Sequence, residues 1–242
     1  MKKHKNECCE WLTFELFDQL PGIRHASFLR GSFETPFDVS DRSETFEESM
    51  HCIAKLMGVS YKQIHWADQV HGIQIADVTK HDPHSRICDA MITAEKDTVL
   101  VIRHADCQAA LFFDPVVGVI ANVHAGWRGN VQNIYKETIL YLHHKYGSHP
   151  KNLHVAISPS LGPDHAEFIN YKEEFPPHLW RFRDENNHFN LWEIAQFQLL
   201  EMGIPLEQIE IAKMDTFEDE ETFYSYRRDK LTGRLATVIA LK

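Results

Sequence analysis

The stretch Asp97-Thr98-Val99-Leu100-Val101-Ile102-Arg103 is short, rich in β-branched residues and bounded by charge, which predicts a buried β-strand. A second run of this type is Val116-Val117-Gly118-Val119-Ile120-Ala121-Asn122-Val123. After it, Ala125-Gly126-Trp127-Arg128-Gly129 leads into a segment with apolar helical spacing. The residues at that spacing are Val131, Ile134, Tyr135, Thr138, Ile139 and Leu142. The sequence therefore predicts two strands followed by a turn and a helix.

Further helices are predicted from their end signals. Thr45-x-x-Glu48 has the form of a capping box, and the helix that it would open ends at Gly58. Asn190 is a candidate cap for a second helix, which Gly203 would stop.

Further strands are predicted over 208–212 and 235–241, and residues 11–20 fit either a strand or a short helix. Because helices and strands alternate along the chain, the predicted class is α/β. No Gly-, Ser- or Pro-rich linker and no internal repeat interrupts the chain. We therefore predict a flexible polar tail over residues 1–10 and a single catalytic domain over residues 11–242.

The composition bounds the function. The chain has 242 residues, 43% of them apolar, and a formal net charge of −10, which disfavours a nucleic-acid surface. Its five cysteines are an odd number without the spacing of a small disulfide scaffold, which is typical of a reducing compartment. No apolar run is long enough to span a bilayer, and the N-terminus lacks a signal-peptide pattern. We expect a soluble cytoplasmic protein with neither a nucleic-acid nor a membrane partner.

Two histidines and a cysteine are candidate metal ligands. His71 lies in Gln69-Val70-His71-Gly72, Cys107 follows the first strand, and His124 ends the second. Imidazole and thiolate both suit Zn²⁺, and three protein ligands would leave the fourth tetrahedral position open, as in catalytic zinc sites. The spacing alone is not specific among 16 histidines. An ordinary strand–turn–helix unit with a buried thiol is the alternative.

The turn after His124 also has features of an anion site. Gly126 and Gly129 would allow a close backbone approach, and a helix start beside Arg128 favours a negative charge.

Several motifs together resemble the YfiH-type multicopper polyphenol oxidase/laccase-domain family. The central ones are Asp89-Ala90-Met91-Ile92-Thr93, Ala105-Asp106-Cys107 and His124-Ala125-Gly126-Trp127-Arg128-Gly129. Other motifs of the family also occur, in the family's order along the chain. They are Gln69-Val70-His71-Gly72, Ser158-Pro159-Ser160-Leu161-Gly162-Pro163, Phe223-Tyr224-Ser225-Tyr226-Arg227-Arg228 and Thr232-Gly233-Arg234. The resemblance runs from about residue 25 to the C-terminus, and this many motifs in the same order are not expected by chance.

The resemblance implies a single-domain α/β layered sandwich, with a mixed central sheet flanked by helices, and a function that the composition does not show. It implies zinc held by His71, Cys107 and His124, and action on purine nucleosides. The implied reactions are phosphorolysis of adenosine, inosine, guanosine and methylthioadenosine, and deamination of adenosine. Purine nucleosides and phosphate are therefore the expected partners; copper is a possible alternative metal, and the oligomeric state is left open.

Three further residues are candidates for catalytic roles. Asp89 matches an acidic family position and is a candidate to orient substrate or carry a proton, or else it is a turn carboxylate that accepts from backbone N–H groups. Arg30, in Phe28-Leu29-Arg30-Gly31, matches an early arginine of the family and would bind phosphate through its fork of donors, or else form a surface ion pair. Arg128 is a candidate for the same site, or else it braces the helix start.

The chain departs from the family pattern in two places relevant here. Where many members have Cys-Cys-Tyr-Glu, this chain has Asp164-His165-Ala166-Glu167, and where they have Cys-Thr, it has Asp215-Thr216. The loss of these thiols removes soft copper ligands, which weakens a copper oxidase interpretation.

Two other classes of function remain open beside the zinc enzyme and the copper-dependent polyphenol oxidase. One is a hydrolase with Cys107 as nucleophile and His124 as base. The other is a non-catalytic binding protein on the same fold. Metal content separates the hydrolase from the zinc enzyme, because a metal-bound thiolate is not a free nucleophile.

Overall fold

The computed structural model describes residues 1–31, 35–41 and 43–242. Its strands are β1 (Lys2–Lys5), β2 (Glu10–Thr13), β3 (Ile23–Phe28), β4 (Ile64–Asp68), β5 (Ile75–Asp77), β6 (Ser85–Ile87), β7 (Ala90–Thr93), β8 (Val99–His104), β9 (Gln108–Asp114), β10 (Val119–Ala125), β11 (His154–Ile157), β12 (Ile209–Ile211) and β13 (Leu235–Leu241). Its α-helices are α1 (Glu15–Asp18), α2 (Phe46–Met57), α3 (Trp127–Gln132), α4 (Ile134–Tyr146), α5 (Tyr171–Glu174) and α6 (Leu191–Glu201). The predicted α/β class is confirmed.

The strands form two mixed sheets rather than one central sheet. The seven-stranded sheet has the order β1-β2-β3-β13-β8-β4-β6, and the six-stranded sheet has the order β12-β11-β9-β10-β7-β5. The two sheets pack face to face, because Leu100 and Ile102 of β8 share a core with Leu111 of β9 and Ile120 of β10. Asn122 of β10 also joins the sheets, since its Nδ2 donates to the carbonyls of Leu100 at 2.9 Å and Thr237 at 2.8 Å.

Helices cover the two outer faces. Val99 and Val101 of β8 point away from the other sheet and pack against α2. On the six-stranded sheet, α4 and α6 cover the outward side chains of β9 and β10, such as Phe112. The resulting order of layers is helix, sheet, sheet, helix. This burial on both faces explains why β8 is a continuous apolar run rather than an alternating one.

Most of the predicted elements are confirmed within a few residues. The first apolar run is β8 and the second is β10, although Val116 and Val117 belong to the preceding turn. The segment 11–20 contains both a strand and a short helix. Asn190 caps α6 by accepting the Glu193 backbone N–H at 3.1 Å.

Three local expectations are corrected. Residues 2–5 of the expected flexible tail pair with β2 as an antiparallel strand, because a sheet edge offers them backbone partners. Thr45 does not close a capping box, since its hydroxyl bonds Ser43 instead of the helix start. The helix after Gly129 is two helices, broken at Asn133, which has a φ of +59°. Within the described ranges, no helix combines the length and apolarity needed to cross a membrane.

Candidate metal centre

The three predicted ligands converge at one end of the sandwich. His71 lies in the loop between β4 and β5, Cys107 in the short turn between β8 and β9, and His124 near the end of β10. The donor atoms of all three residues lie within 4.8 Å of one another. His71 Nε2 is 3.9 Å from Cys107 Sγ, and the two imidazole rings meet edge to face. Since ligand atoms of one tetrahedral zinc lie roughly 3.5 Å apart, this set is compatible with a single ion.

The backbone around His71 is held in an unusual conformation. His71 has a φ of +59°, a region that non-glycine residues seldom occupy. Asp89 holds this turn: its Oδ1 accepts the His71 N–H at 2.9 Å, and its Oδ2 accepts the Gly72 N–H at 2.7 Å. The buried carboxylate therefore fixes the direction in which the His71 ring leaves the backbone.

Asp89 also orients the second imidazole. Nδ1 of His124 donates to Asp89 Oδ1 at 2.9 Å, which leaves Nε2 of His124 free to face Cys107 and His71. Carboxylates that bond the far nitrogen of a ligating histidine in this way fix its tautomer and raise its basicity. Asp89 is fully buried, and its carboxylate contacts both of the segments that carry these histidines.

Gly126 makes room for the cluster. A Cβ atom at this position would lie 3.0 Å from both Cys107 Sγ and His71 Cδ2. These contacts are tighter than ordinary van der Waals packing allows. The glycine of the Ala125-Gly126-Trp127 turn is therefore needed for the close approach of backbone and ligands.

The charges of the cluster favour a thiolate. Burial raises the pKa of Cys107, but the charge of His124 and hydrogen bonds from both histidines lower it, with a net pKa of about 6. Burial lowers the pKa of His124, but the Cys107 thiolate and the Asp89 hydrogen bond raise it to about 9. Because the thiolate is the form of cysteine that binds metals, this donor set of two imidazoles and one thiolate fits a borderline cation such as Zn²⁺.

Two neighbouring side chains have other roles. His104 is buried, and its Nε2 lies 2.9 Å from the hydroxyl of Thr237. Asp106, with a φ of +83°, turns its carboxylate away from the cluster and accepts from the Thr216 hydroxyl and the Arg227 N–H. Neither residue belongs to the group of converging donors.

The cluster opens into a cavity of about 480 Å³. Its far side is aromatic and apolar, with Trp127, Phe168, Leu161 and Leu191 in the wall. Asn170 and Glu174 place polar groups along the same wall.

A second cavity, of about 420 Å³, also reaches His71. It is lined by the cationic side chains Arg103, Lys230 and Arg234. The aromatic cavity and this cationic cavity share His71, Tyr226 and Lys230. The metal cluster therefore stands at the junction of an aromatic compartment and a cationic one.

The two predicted arginines lie in different places. Arg128 is exposed, stacks over the Trp127 ring at 4.3 Å and lines the aromatic cavity beside the cluster. Arg30 instead donates to the Glu220 carbonyl at 2.9 Å and lies over the Tyr224 ring. Arg30 is not among the described residues that line either cavity.

Comparison with known proteins places this site in a family. Residues 17–242 match the family model described as multi-copper polyphenol oxidoreductase laccase. The chain belongs to this family. It is 31% identical over 183 residues to the Escherichia coli protein named purine nucleoside phosphorylase YfiH, covering 73% of each chain. It is 26% identical over 231 residues to the Bacillus subtilis protein named purine nucleoside phosphorylase YlmD, covering 87% of this chain and 82% of that one.

The fold is shared with solved structures. The crystal structure of YlmD from Geobacillus stearothermophilus superposes with a TM-score of 0.86 at 23% identity, covering 99% of this chain and 98% of that one.

The sequence analysis missed several cavity residues. Phe168, Asn170 and Glu174 lie in a segment without a local chemical pattern, and only tertiary packing brings them to the cavity. Tyr226 and Arg227 stood in a recognised landmark, Phe223-Tyr224-Ser225-Tyr226-Arg227-Arg228, to which no role was assigned. This motif is the feature of the sequence from which Tyr226 and Arg227 could have been predicted to line the cavity.

Proposed function

We propose that the chain is a zinc-dependent purine nucleoside phosphorylase, with residues 11–242 acting as one catalytic domain. The observation that carries the proposal is the position of the His71–Cys107–His124 cluster between an aromatic and a cationic compartment. A nucleoside and a phosphate have matching chemistry, because a nucleobase offers a planar face and phosphate offers negative charge. The names of the relatives support the same reaction class.

The nucleobase is assigned to the aromatic cavity. Trp127 and Phe168, whose ring centroids lie 5.8 Å apart, form part of its wall, and Tyr226 lines its opening. Asn170 offers an amide and Glu174 a carboxylate for the polar edge of a purine. Adenosine, inosine, guanosine and methylthioadenosine are the proposed substrates. Their three bases, adenine, hypoxanthine and guanine, differ in the groups that these two side chains would meet.

Phosphate is assigned to Arg128 rather than Arg30. Arg128 lines a further cavity, which joins the three cluster residues to Arg103 and Arg234 of the cationic compartment. The guanidinium of Arg30 is instead engaged by the Glu220 carbonyl and the Tyr224 ring. A phosphate oxygen attacks C1′ of the ribose as the bond from C1′ to the purine nitrogen breaks. The products are the free base, which takes up a proton, and ribose-1-phosphate.

His71, Cys107 and His124 would hold the zinc. When bound, Zn²⁺ supplies a fixed positive charge and Lewis-acid polarisation of oxygen ligands. Asp89 maintains the geometry of two of the three ligands and does not itself transfer a proton, because it is fully buried and already accepts three hydrogen bonds. Adenosine deamination is proposed as a second, slower activity of the same cavity, in which water adds to the purine ring and ammonia leaves.

The test combines metal analysis with product detection. Purified protein should contain zinc and should convert inosine and phosphate to hypoxanthine and ribose-1-phosphate, and chelation should abolish turnover until Zn²⁺ is restored. Arg128→Ala should raise the KM for phosphate about tenfold or more, since a hydrogen bond to a charged group contributes about 1.5–3 kcal/mol. The matched control is Arg181→Ala, because Arg181 is also exposed and stacked on aromatic rings but lies outside the cavity.

Three results would contradict the proposal. One is phenol oxidation by the copper-loaded protein without nucleoside turnover, which would favour the oxidase. Another is hydrolysis by metal-free protein that depends on Cys107, which would favour the nucleophilic cysteine. The third is zinc binding without any turnover, which would indicate a binding protein.

A further inference from the structure

A second group of metal-ligand side chains lies outside the central cluster. His165 ends a short 3-10 turn over Pro163–His165, and Asp215 and Glu218 lie in the segment between β12 and β13. One donor atom from each residue lies within 4.8 Å of the other two. We propose that His165, Asp215 and Glu218 bind a divalent cation of the borderline class, such as Zn²⁺. One imidazole nitrogen and two carboxylate oxygens suit such an ion.

Two of the three donors are already held in place. Asp215 Oδ2 is 2.7 Å from His165 Nδ1, and Asp215 Oδ1 accepts the Phe217 N–H at 2.8 Å. The Phe217 ring stacks on the His165 imidazole with 4.1 Å between centroids. Since these contacts restrict both side chains before a cation arrives, only the exposed Glu218 must become ordered on binding.

The backbone near Gly162 is shaped around the Asp215 carboxylate. A Cβ atom at Gly162 would overlap this carboxylate, with the Cγ atom only 2.7 Å away. The side chain of Asp215 is 7% exposed, and that of His165 is 27% exposed. The group is therefore built into the protein on one side and reachable from solvent on the other.

The two carboxylates lack a strong counter-charge. Among the described residues, neither Asp215 nor Glu218 forms an ion pair with a lysine or arginine. Arg228 is close by, but its Nη1 donates to the carbonyls of Thr216 and Phe217. A divalent cation would relieve the repulsion between the two carboxylates.

The bound cation is predicted to hold two segments of the chain together beside the aromatic cavity. A cation would connect the turn at 163–165, which precedes the cavity residues Glu167 and Phe168, to the segment that begins at Asp215. Because the cation would bind the folded chain only, it should raise the unfolding temperature.

The test is a metal titration of the full chain after chelation. With Co²⁺, the Cys107 cluster should give a thiolate charge-transfer band, and the second site should add an equivalent without such a band. We expect two equivalents for the wild type and one for Asp215→Asn or Glu218→Gln. Asparagine can still accept from Phe217, and Glu218 is exposed, so neither variant should unfold the chain.

Two further variants sharpen the result. His188→Ala is the matched control, since His188 and Asp184 form a comparable ion pair at 3.6 Å outside this group of donors; it should keep both equivalents. In Cys107→Ser, a hundredfold excess of Zn²⁺ over its Kd should raise the Tm by roughly 5 °C or more. In the double variant with Cys107→Ser and Glu218→Gln, Zn²⁺ should no longer raise the Tm.

The outcomes separate this inference from the proposed function. Only one equivalent in the wild type, accompanied by the charge-transfer band, would overturn the second site, as would two equivalents in Asp215→Asn. One equivalent without the band, lost in Glu218→Gln, would support the second site and contradict the zinc cluster of the proposed function.

Discussion

At the scale of single residues, the positions of the two histidines proposed as metal ligands depend on Asp89. Its two oxygens accept from His71, Gly72 and His124, which come from two different parts of the chain. The carboxylate has a lowered pKa: burial raises it, but the His124 hydrogen bond and the two backbone N–H groups together outweigh burial. Asp89 therefore stays ionised at neutral pH and can hold His124 as a metal ligand.

We expect Asp89→Asn to weaken zinc binding by about 10- to 100-fold without preventing it, because the three ligands remain but lose their orienting partner. Nucleoside turnover should fall in parallel. A competition titration with a chelator measures the affinity.

Asp114→Asn is the matched control for this variant. Asp114 is another fully buried turn carboxylate, which accepts the Val116 N–H and the Ser148 hydroxyl on the six-stranded sheet. Its substitution should cost stability and leave zinc affinity unchanged. Equal losses of zinc affinity in both variants would show that Asp89 acts only through the fold.

At the scale of elements, the junction of α3 and α4 determines how the chain leaves the site. Asn133 occupies the left-handed region at a φ of +59°, and its side chain accepts the Lys136 N–H at 3.0 Å. Asn133 therefore both ends α3 and begins α4. Asparagine suits both tasks, because it tolerates the left-handed region and is a good N-cap.

Substitutions at Asn133 should separate these two tasks. We expect Asn133→Ala to lower the free energy of unfolding by about 2–3 kcal/mol, through loss of the cap and strain in the left-handed region. Asn133→Gly should cost only about 0.5 kcal/mol, because glycine removes the strain and is itself a tolerated cap. Urea unfolding of both variants measures the difference. Equal costs would mean that the backbone conformation at this junction carries no strain.

At the scale of the whole molecule, buried histidines make stability depend on pH. Burial lowers the pKa of His25 to about 4, against a smaller opposing effect of Asp18. Burial also lowers the pKa of His104, to about 3. Because these folded-state values lie below the ordinary histidine value, the unfolded chain takes up protons first as the pH falls. The contribution of these two histidines to stability is therefore complete above about pH 6.5 and is lost as the pH falls toward 4.

We expect His25 to contribute a loss of about 2 kcal/mol between pH 7 and pH 5. A glutamine at this position does not titrate. Between pH 7 and pH 5, the free energy of unfolding of His25→Gln should therefore fall by about 2 kcal/mol less than that of the wild type. Urea unfolding at the two pH values measures the difference, in which effects common to both proteins cancel. Carboxylates contribute mainly below pH 5, so they do not obscure this window. Identical losses in the two proteins would contradict the role of His25.

Much of the fold class and of the metal cluster could be predicted from the sequence. The β8 and β10 strands were recognisable because β-branched apolar runs have few other stable states in a folded chain. The helix cap at Asn190 was recognisable because capping depends on residues three apart. The types of the three donors, and their places at strand ends, followed from residue chemistry and from the family motifs.

Only the tertiary structure decided how these parts are arranged. Two sheets rather than one, and β1 at a sheet edge, depend on pairing between segments whose local patterns do not specify their partners. The burial of Asp89 behind His124, the distance of Arg30 from the cavity and the contact between His165 and Asp215 are likewise long-range. A sequence pattern records which faces of an element are buried and which side chains can do chemistry. Packing between elements that are far apart in the chain determines which of those side chains come into contact. Only this packing buries the apolar faces of all the elements together.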